Sequence, residues 1–229
     1  MNFPVLTYTM LSDAENCPHK FYRKYVLKDL PYQESTPAMK AGIKLHDAME
    51  ARLAKGITLD REYRSAEPIC RVLDELAEHK GVSLRVEYKM AMKIDGSPCA
   101  WDAQGAWLRT KADMALWTPD GGWLIDWKNG KIREQPFELE VQGLLLSVAH
   151  NVWPLQGEYF WMAEKRCGNR YTLEPDKTFM RVGKLYAELM GYFNMVIPDP
   201  LNAFPKRQNP LCGWCPVANC EHNKTEKKG

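Results

Sequence analysis

Residues 108–131 read LRTKADMALWTPDGGWLIDWKNGK, and this stretch decides the fold. Its first half, Trp107–Trp117, is apolar except for a few polar side chains, and its second half, Trp123–Lys128, is a shorter apolar run. Between them lies Thr118–Gly122, a cluster of residues that preset or permit turn dihedrals. The pattern therefore predicts two strands joined by a tight turn, with the second strand ending before Gly130.

Three of the charged side chains on this largely apolar hairpin could meet. Asp126 and Lys128 are two positions apart, so they should share one side of their strand, and the hairpin can bring Asp113 beside them. Burying two carboxylates and an ammonium is costly unless they pair or bind a metal. A salt bridge at a sheet edge and a metal site both satisfy these groups, and the pattern D-x-K alone does not choose between them.

Hydrophobic periodicity predicts an α/β fold around the hairpin. Helical spacing recurs in four long segments, and a short helix is expected from a capping-box pattern at Ser12 and Glu15, with a second helix over His19–Leu27. Alternating or continuous apolar runs predict further strands of an antiparallel meander and a later strand. These segments are helices at Pro37–Lys55, Ala66–His79, Phe137–His150 and Asp176–Val196, and strands at Leu84–Lys93, Cys99–Trp101 and Leu155–Ala163.

Length and composition are those of one globular domain. The chain has 229 residues, 45% of them hydrophobic and 26% charged, with a formal net charge of +2. A charge this small provides no global basic field, so nucleic-acid contact would need a local basic patch. No signal peptide opens the sequence and no apolar run is long enough to span a bilayer, so we expect a soluble cytoplasmic protein with no membrane partner.

The C-terminal cysteines form the most specific local motif. Cys212, Cys215 and Cys220 follow the pattern C-x2-C-x4-C, which lets several thiolates reach one metal centre. A fourth ligand is needed: Cys17, in a loop-like proline context, would suit an iron–sulfur cluster, whereas His222 would favour zinc. Three free thiols in a loop is the remaining interpretation, although exposed clustered thiols oxidise readily.

Several of these signals occur together in a fixed order. They are Cys17-Pro18 with Phe21-Tyr22, Gly42-x3-His46, Glu87 on a strand, Asp113, Asp126-Trp127-Lys128 followed by Gly130, Gln142, and the three C-terminal cysteines. Taken together, the chain resembles the RecB-like branch of the PD-(D/E)XK nucleases over nearly its whole length. Within that branch it is most similar to the iron–sulfur exonucleases, which include the CRISPR-adaptation nucleases and phage-encoded relatives.

The resemblance implies a single PD-(D/E)XK nuclease domain over residues 1–229. Its core would be restriction-endonuclease-like, a mixed central sheet flanked by helices. Residues 1–36 and 200–229 together would form a small iron–sulfur subdomain that joins the two termini. The family's glycine three places before the first acid is Thr110 here, and an aromatic residue after the glutamine is replaced by Leu146.

The resemblance also implies roles for individual residues. Mg or Mn would be bound by His46, Asp113, Asp126 and the backbone carbonyl of Trp127. Lys128 would position or activate the attacking water and stabilise charge on the phosphate, and Gln142 would orient groups near the metal or the DNA strand. Glu87 would not bind the metal itself but would contact the residues that do. A [4Fe–4S] cluster would be held by Cys17, Cys212, Cys215 and Cys220, with structural Zn as the alternative.

The implied function is a metal-dependent DNA exonuclease acting on single-stranded ends, in phage or bacterial recombination, repair or DNA processing, with a recombination or CRISPR-adaptation protein as a partner. The alternative is a catalytically idle DNA-binding or adaptor subunit with a structural metal cluster. Candidate phosphate contacts are basic and candidate base-stacking residues aromatic. They are Lys20, Arg23, Lys24, Lys131 and Arg133, with Tyr22, Trp127 and Trp214.

Overall fold

The structure is a computed structural model in which the chain forms two compact units. The first, here called the terminal unit, comprises Met1–Gln33 and Phe179–Gly229. The second, here called the sheet unit, comprises Glu34–Thr178. The residues described are 3–31, 34–133, 135–195 and 199–223. The predicted subdomain of residues 1–36 and 200–229 therefore includes positions outside the described ranges, and its boundaries stay a prediction.

The sheet unit contains a six-stranded mixed sheet in the order β2-β1-β3-β4-β5-β6. All neighbouring strands are antiparallel except β4 and β5, which are parallel. A parallel pair needs a crossover connection, and helix α5 provides it. This confirms a mixed α/β architecture. The strands are β1 (Ser83–Lys93), β2 (Pro98–Cys99), β3 (Ala106–Thr118), β4 (Gly121–Lys128), β5 (Leu155–Trp161) and β6 (Arg166–Leu173).

The predicted hairpin is β3 and β4. Thr118 pairs with Gly121, so the connecting turn is reduced to Pro119 and Asp120. Gly122 must lack a side chain, because a Cβ there would lie 2.7 Å from a methyl group of Leu155 on the parallel neighbour. Since β4 lies between β3 and β5, the Asp126–Lys128 pair is in the middle of the sheet, and the interpretation as a sheet-edge salt bridge is wrong about its position.

The helices follow the sequence prediction closely in the sheet unit. The longer ones coincide with the predicted segments within two residues, apart from the end of α6. This helix ends at Phe193, before the predicted end at Val196, which itself lies outside the described residues. The helices are α1 (Tyr8–Asn16), α2 (Pro18–Phe21, continued by a π-helical turn over Tyr22–Leu27), α3 (Pro37–Lys55), α4 (Glu67–Ala77), α5 (Phe137–His150) and α6 (Pro175–Phe193).

Two sequence-based assignments need correction. Helix α1 begins at Tyr8 with Thr7 as its N-cap, so Ser12 and Glu15 lie inside the helix and do not form the expected capping box. Strand β6 was not predicted at all. It is an edge strand paired only with β5, and most of its side chains are exposed or half-buried. Such a strand carries no strong apolar alternation, which is why periodicity missed it.

The main core of the sheet unit lies between the sheet and helices α3 and α4. Leu45, Met49 and Leu73 from these helices pack against alternate residues of the central strands. The strand contributions include Ile125 and Trp127 of β4, so the intervening Asp126 points to the opposite side of the sheet, towards α5. The alternation of β4 therefore separates its core-forming side chains from its charged ones.

The terminal unit is held by aromatic packing and ion pairs. Phe3 packs edge-on against Tyr186, and Tyr22 is stacked on Phe204 with ring centroids 4.1 Å apart. Arg181 of α6 binds Glu15 of α1 at 2.9 Å. Tyr22 is buried in this core, so the proposal that it stacks on bases is wrong. Among the helices in the described ranges, none combines the length and apolarity that a membrane span needs.

Asp13 organises a cationic cluster in the terminal unit. It accepts from Tyr25 Oη at 2.6 Å, Lys20 Nζ at 2.7 Å and Lys24 Nζ at 3.0 Å. Arg23 pairs separately with Asp29. Three of the expected phosphate-binding cations are therefore already paired with carboxylates within the unit. Burial raises the pKa of Asp13, but its bonds to Lys20 and Tyr25 outweigh this, so the pKa is lowered overall.

We expect Asp13→Asn to lower the free energy of unfolding at pH 7 by about 1–3 kcal/mol, because it leaves half-buried donors without their charged acceptor. A lowered folded-state pKa contributes stability that is present above the unfolded-state pKa and is lost as pH falls through the folded-state value. The difference between wild type and variant should therefore vanish in acid. Urea unfolding at pH 7 and below pH 4 measures this, and Asp29→Asn, which removes an exposed pair, should change stability by less than about 1 kcal/mol.

Candidate active site

One imidazole and two carboxylates converge in the sheet unit. His46 of α3, Glu87 of β1 and Asp113 of β3 offer ligand atoms that all lie within 4.8 Å of one another. His46 Nδ1 is 3.1 Å from Asp113 Oδ1 and 3.7 Å from Glu87 Oε1. Within the described ranges this is the group of histidine, cysteine and acidic side chains that meets this spacing. The arrangement has the size and donor types of a divalent-metal site.

Glu87 reaches this group through an unusual backbone conformation. Its φ is +50°, in the left-handed region that residues with a Cβ rarely adopt. Val86 and Tyr88 pair with Met114 and Ala112, yet the ladder is interrupted at Glu87, which would otherwise face Asp113. Strain of this kind persists where the surroundings over-determine it, commonly at functional sites. The structure thus places Glu87 among the candidate metal ligands, together with His46 and Asp113, whereas the resemblance implied a supporting position.

Asp126 and Lys128 share one side of β4, as alternation requires. Lys128 Nζ lies 2.6 Å from Asp126 Oδ1, an ion pair whose angles differ from those of a hydrogen bond, and 2.8 Å from Glu138 Oε2 of α5. Gln142 Nε2 donates to the other Asp126 oxygen at 3.2 Å. Glu138 and Gln142 are one helical turn apart, so one face of α5 holds both members of the D-x-K motif.

The approach of α5 to the sheet depends on Gly143. A Cβ at this position would lie 2.7 Å from a methyl carbon of Leu173 on β6. The absence of a side chain lets the helix backbone come close to the strands. The neighbouring Gln142 is buried, and its Oε1 has no hydrogen-bonding partner in the described part of the chain. An unused buried acceptor beside a carboxylate is a feature that a bound cation or water would satisfy.

Excess negative charge dominates the electrostatics of the site. Hydrogen bonds to Asp113 and then Glu87 raise the pKa of His46 to about 10. Burial raises the pKa of Asp126 well above its usual value, and the nearby charges of Asp113 and Glu138 raise it further. Burial opposes the charge on Lys128, but Asp126 and Glu138 raise its pKa overall. The site therefore attracts positive charge, and Lys128 is an ammonium at neutral pH.

The His46–Glu87–Asp113 group and the Asp126–Lys128 pair interact electrostatically. Asp113 raises the pKa of Asp126, and Asp126 contributes to the raised pKa of His46. Asp113 Oδ2 also accepts the backbone N–H of Trp127 at 2.9 Å, which ties β3 to β4 beside the charged residues. The structure therefore brings together the predicted residues His46, Asp113, Asp126, Lys128 and Gln142.

A second candidate centre lies in the terminal unit. A cavity there is lined by Cys17, Cys212, Cys215 and Cys220, together with His222. Burial raises the pKa of Cys215, and the proximity of Cys17 and Cys212 raises it further. The backbone N–H of Asn209 donates to Cys212 Sγ at 3.3 Å. One cysteine from a helix boundary near the N-terminus and three from the C-terminal turns therefore line the same cavity.

The sequence comparisons identify no family. No protein-family model matches the chain, and no curated protein matches it at a significant level. Among solved structures, it is similar to SSO0001 (12% identity, TM-score 0.49, covering 97% of this chain and 89% of that one). It is also similar to the alkaline exonuclease LHK-Exo from Laribacter hongkongensis (13% identity, TM-score 0.41, covering 81% and 88%). Because both scores are below 0.5, the function is argued from this chain's own residues.

The structure corrects one further assignment near the site. The Trp127 ring is 1% exposed and packs edge-on against Phe160, so it is unavailable for base stacking. A role for its backbone carbonyl as a metal ligand stays a prediction. Trp214 is 79% exposed, and Lys131 and Arg133 are exposed as well. Their suggested contacts with nucleic acid stay predictions too.

Sequence reasoning missed Glu138. Its position four residues before Gln142 placed both on one helical face, and that spacing was the signal that could have found it. The family resemblance implies DNA cleavage. We expect Glu138→Gln to lower kcat for this reaction by about 10- to 100-fold with KM unchanged, because Lys128 loses one of its two orienting carboxylates. The charge-matched control is Glu140→Gln, about 200° around the helix, which should retain activity. If Glu138→Gln and Glu140→Gln both kept the wild-type kcat, Glu138 would have no role in cleavage.

Proposed function

We propose that this protein is a nuclease that hydrolyses phosphodiester bonds in DNA with a divalent cation. The observation that carries the proposal is the convergence of His46, Glu87 and Asp113 next to the Asp126–Lys128 pair. The carboxylates at this spacing repel each other, and Lys111 and Lys128 each pair with some of them. A bound divalent cation would offset the remaining repulsion.

The donor set fits Mg or Mn. Carboxylate oxygens are the ligands that Mg prefers, and an imidazole is accepted more readily by Mn. His46, Glu87 and Asp113 would hold the ion, with Asp126 and the Trp127 carbonyl as further ligands. When bound, the ion supplies a Lewis acid that neutralises charge on the scissile phosphate and acidifies the attacking water.

The remaining residues orient groups and stabilise charge. Lys128 stays protonated at neutral pH, so it can donate to a phosphate oxygen but cannot serve as a general base. Glu138 and Asp126 fix the direction of its ammonium. Gln142 holds the Asp126 carboxylate through its amide N–H₂, and its buried carbonyl oxygen has no hydrogen-bonding partner among the described residues. These residues form a preorganised environment for negative charge that develops on the phosphate.

We further propose exonuclease action on single-stranded ends, in phage or bacterial recombination, repair or DNA processing, on the basis of the family resemblance. A recombination or CRISPR-adaptation protein would be its partner in that setting. A digest of end-labelled single- and double-stranded DNA tests the exonuclease proposal, because release of nucleotides from one end and internal cuts give different products.

The cysteine cavity would hold a [4Fe–4S] cluster. Four cysteines line the cavity, and iron–sulfur clusters are held by thiolates. His222 lines the same cavity, so structural zinc is the alternative. The cluster would crosslink the N-terminal and C-terminal segments of the terminal unit.

The proposed function is tested by metal-dependent cleavage. We expect no activity in EDTA, activity with Mg²⁺, and higher activity with Mn²⁺ because of the imidazole ligand. Equal rates with both metals would weaken the assignment of His46. If the wild-type protein cleaves DNA with neither metal but still binds it, the nuclease proposal fails and the catalytically idle adaptor is the better description.

A further inference from the structure

We infer that a row of basic side chains on β1 and β3 binds consecutive phosphates of a nucleic-acid strand next to the candidate metal site. The row consists of Lys89, Arg109 and Lys111, and it is here called the β1–β3 basic row. The inference rests on the proposed nuclease function, because it identifies where the substrate backbone runs. None of these residues was singled out by sequence analysis.

The strand register puts the three cations on one side of the sheet. Lys89 lies directly opposite Lys111, and Arg109 lies opposite Ala91, two residues along. Directly opposite residues and residues two apart share a face, so the row follows the strands in steps of about 7 Å. Asp113 is the next residue in the same series on β3. The row therefore leads directly into the candidate metal site.

Lys111 connects the row with that site. Its ammonium forms an ion pair with Glu87, which belongs to the metal-binding group. Lys89 lies level with Lys111 on the neighbouring strand, and Arg109 lies one step further from the site. In the described part of the chain, neither makes an ion pair with a carboxylate, and Arg109 Nε is buried with no hydrogen-bonding partner. Two cations thus remain unneutralised beside a cluster of acids that does not reach them.

Trp101 contacts the cations of both Lys89 and Arg109. The Arg109 guanidinium carbon lies 4.8 Å from the centre of the Trp101 ring, and Lys89 Nζ lies 5.8 Å from it. A cation–π contact orients a cation and leaves its charge available to an anion. Lys89 and Lys111 are like charges directly opposite each other, which destabilises a sheet. An external anion would relieve this repulsion.

The chemistry of the row selects a polyanion. A single phosphate would engage one cation or two neighbours, whereas charges spaced along two strands match consecutive phosphates of one backbone. Arg109 can bind a phosphate with two hydrogen bonds, and the lysines act as point charges. The strand end beyond the scissile phosphate would lie along Lys111, Lys89 and Arg109 in turn.

The test compares the double variant Lys89→Gln/Arg109→Gln with the control Arg61→Gln/Lys80→Gln, which removes the same charge from exposed loop positions of the sheet unit. Affinity for labelled single-stranded and duplex oligonucleotides is measured by anisotropy in EDTA over a range of salt. Two lost phosphate contacts should reduce the slope of log K against log salt by about 1.4 for the single strand and about 1.8 for the duplex, and should weaken single-strand binding about 20-fold near 0.1 M salt. The control should behave as the wild type.

Cleavage kinetics separate the two proposals. With Mn²⁺, the row variant should raise KM about as much as it weakens binding, while kcat stays within about twofold. If wild type cleaves DNA and the row variant matches the control in affinity, slope and KM, the basic row is overturned and the nuclease stands. If wild type cleaves nothing but the row variant alone loses affinity, the nuclease fails and the row stands. Wild type that binds neither oligonucleotide overturns the row.

Discussion

Asp113→Asn is expected to lower kcat for DNA cleavage by at least about a thousandfold, because a lost carboxylate ligand removes several kcal/mol of transition-state stabilisation. Asp113 lies at the centre of the site. It contacts His46, accepts the Trp127 backbone N–H and interacts electrostatically with Asp126. Asparagine has nearly the same shape and can still accept from the Trp127 N–H, so the fold should be retained.

The variant also removes one of several crowded negative charges. We therefore expect its thermal stability without metal to equal or exceed that of the wild type, and its affinity for DNA to be retained. Cleavage of end-labelled DNA with Mn²⁺, together with thermal melts, measures both effects. Asp120→Asn, in the exposed turn of the same hairpin, is the control and should cleave normally. Cleavage by Asp113→Asn at the wild-type rate would show that the chemistry lies elsewhere.

Cys212→Ser is expected to abolish cluster binding and to lower the stability of the terminal unit by about 4 kcal/mol, the effect of losing a crosslink that closes a long loop. Cys212 is buried and lines the cysteine cavity. Wild type purified without oxygen should be brown and contain iron and acid-labile sulfide. The variant should be colourless and melt at a lower temperature.

A matched variant and a metal analysis make this result specific. Cys99 of β2 does not line the cavity, so Cys99→Ser should keep the colour and the stability of the wild type. A colourless wild type containing one zinc would replace the iron–sulfur assignment, and His222→Ala would then show whether the fourth ligand is Cys17 or His222. If the wild type contained neither iron nor zinc, the four cysteines would be free thiols and the assignment of a metal centre would be overturned.

Local patterns were sufficient to predict most of the elements. The β3–β4 hairpin, helix α3 and helix α5 occur where hydrophobic periodicity and turn residues placed them, because each signal acts between near neighbours in the chain. The same i, i+2 alternation predicted that Asp126 and Lys128 share a side. Strand β6 lacked such a pattern since its side chains face solvent, and Ser12 with Glu15 imitated a capping box inside a helix.

The candidate site was predictable only as a set of residues. The family resemblance implied that His46, Asp113, Asp126, Lys128 and Gln142 could serve one metal, but no local signal says which side chains meet. The left-handed backbone of Glu87 and its approach to His46 arise from packing between distant segments. Contacts of this kind lie outside any sequence window.

By itself, the sequence determined the hairpin, the principal helices and the chemical character of the acids, the histidine and the cysteines, since these depend on side-chain type and on interactions along a short stretch of chain. Tertiary structure alone decided that Glu87 lies beside His46 and Asp113. It also decided that Lys20 and Lys24 form ion pairs with Asp13. The same holds for the shared sheet face of Lys89, Arg109 and Lys111. Strand register and burial set these pairings, and both result from packing the whole chain.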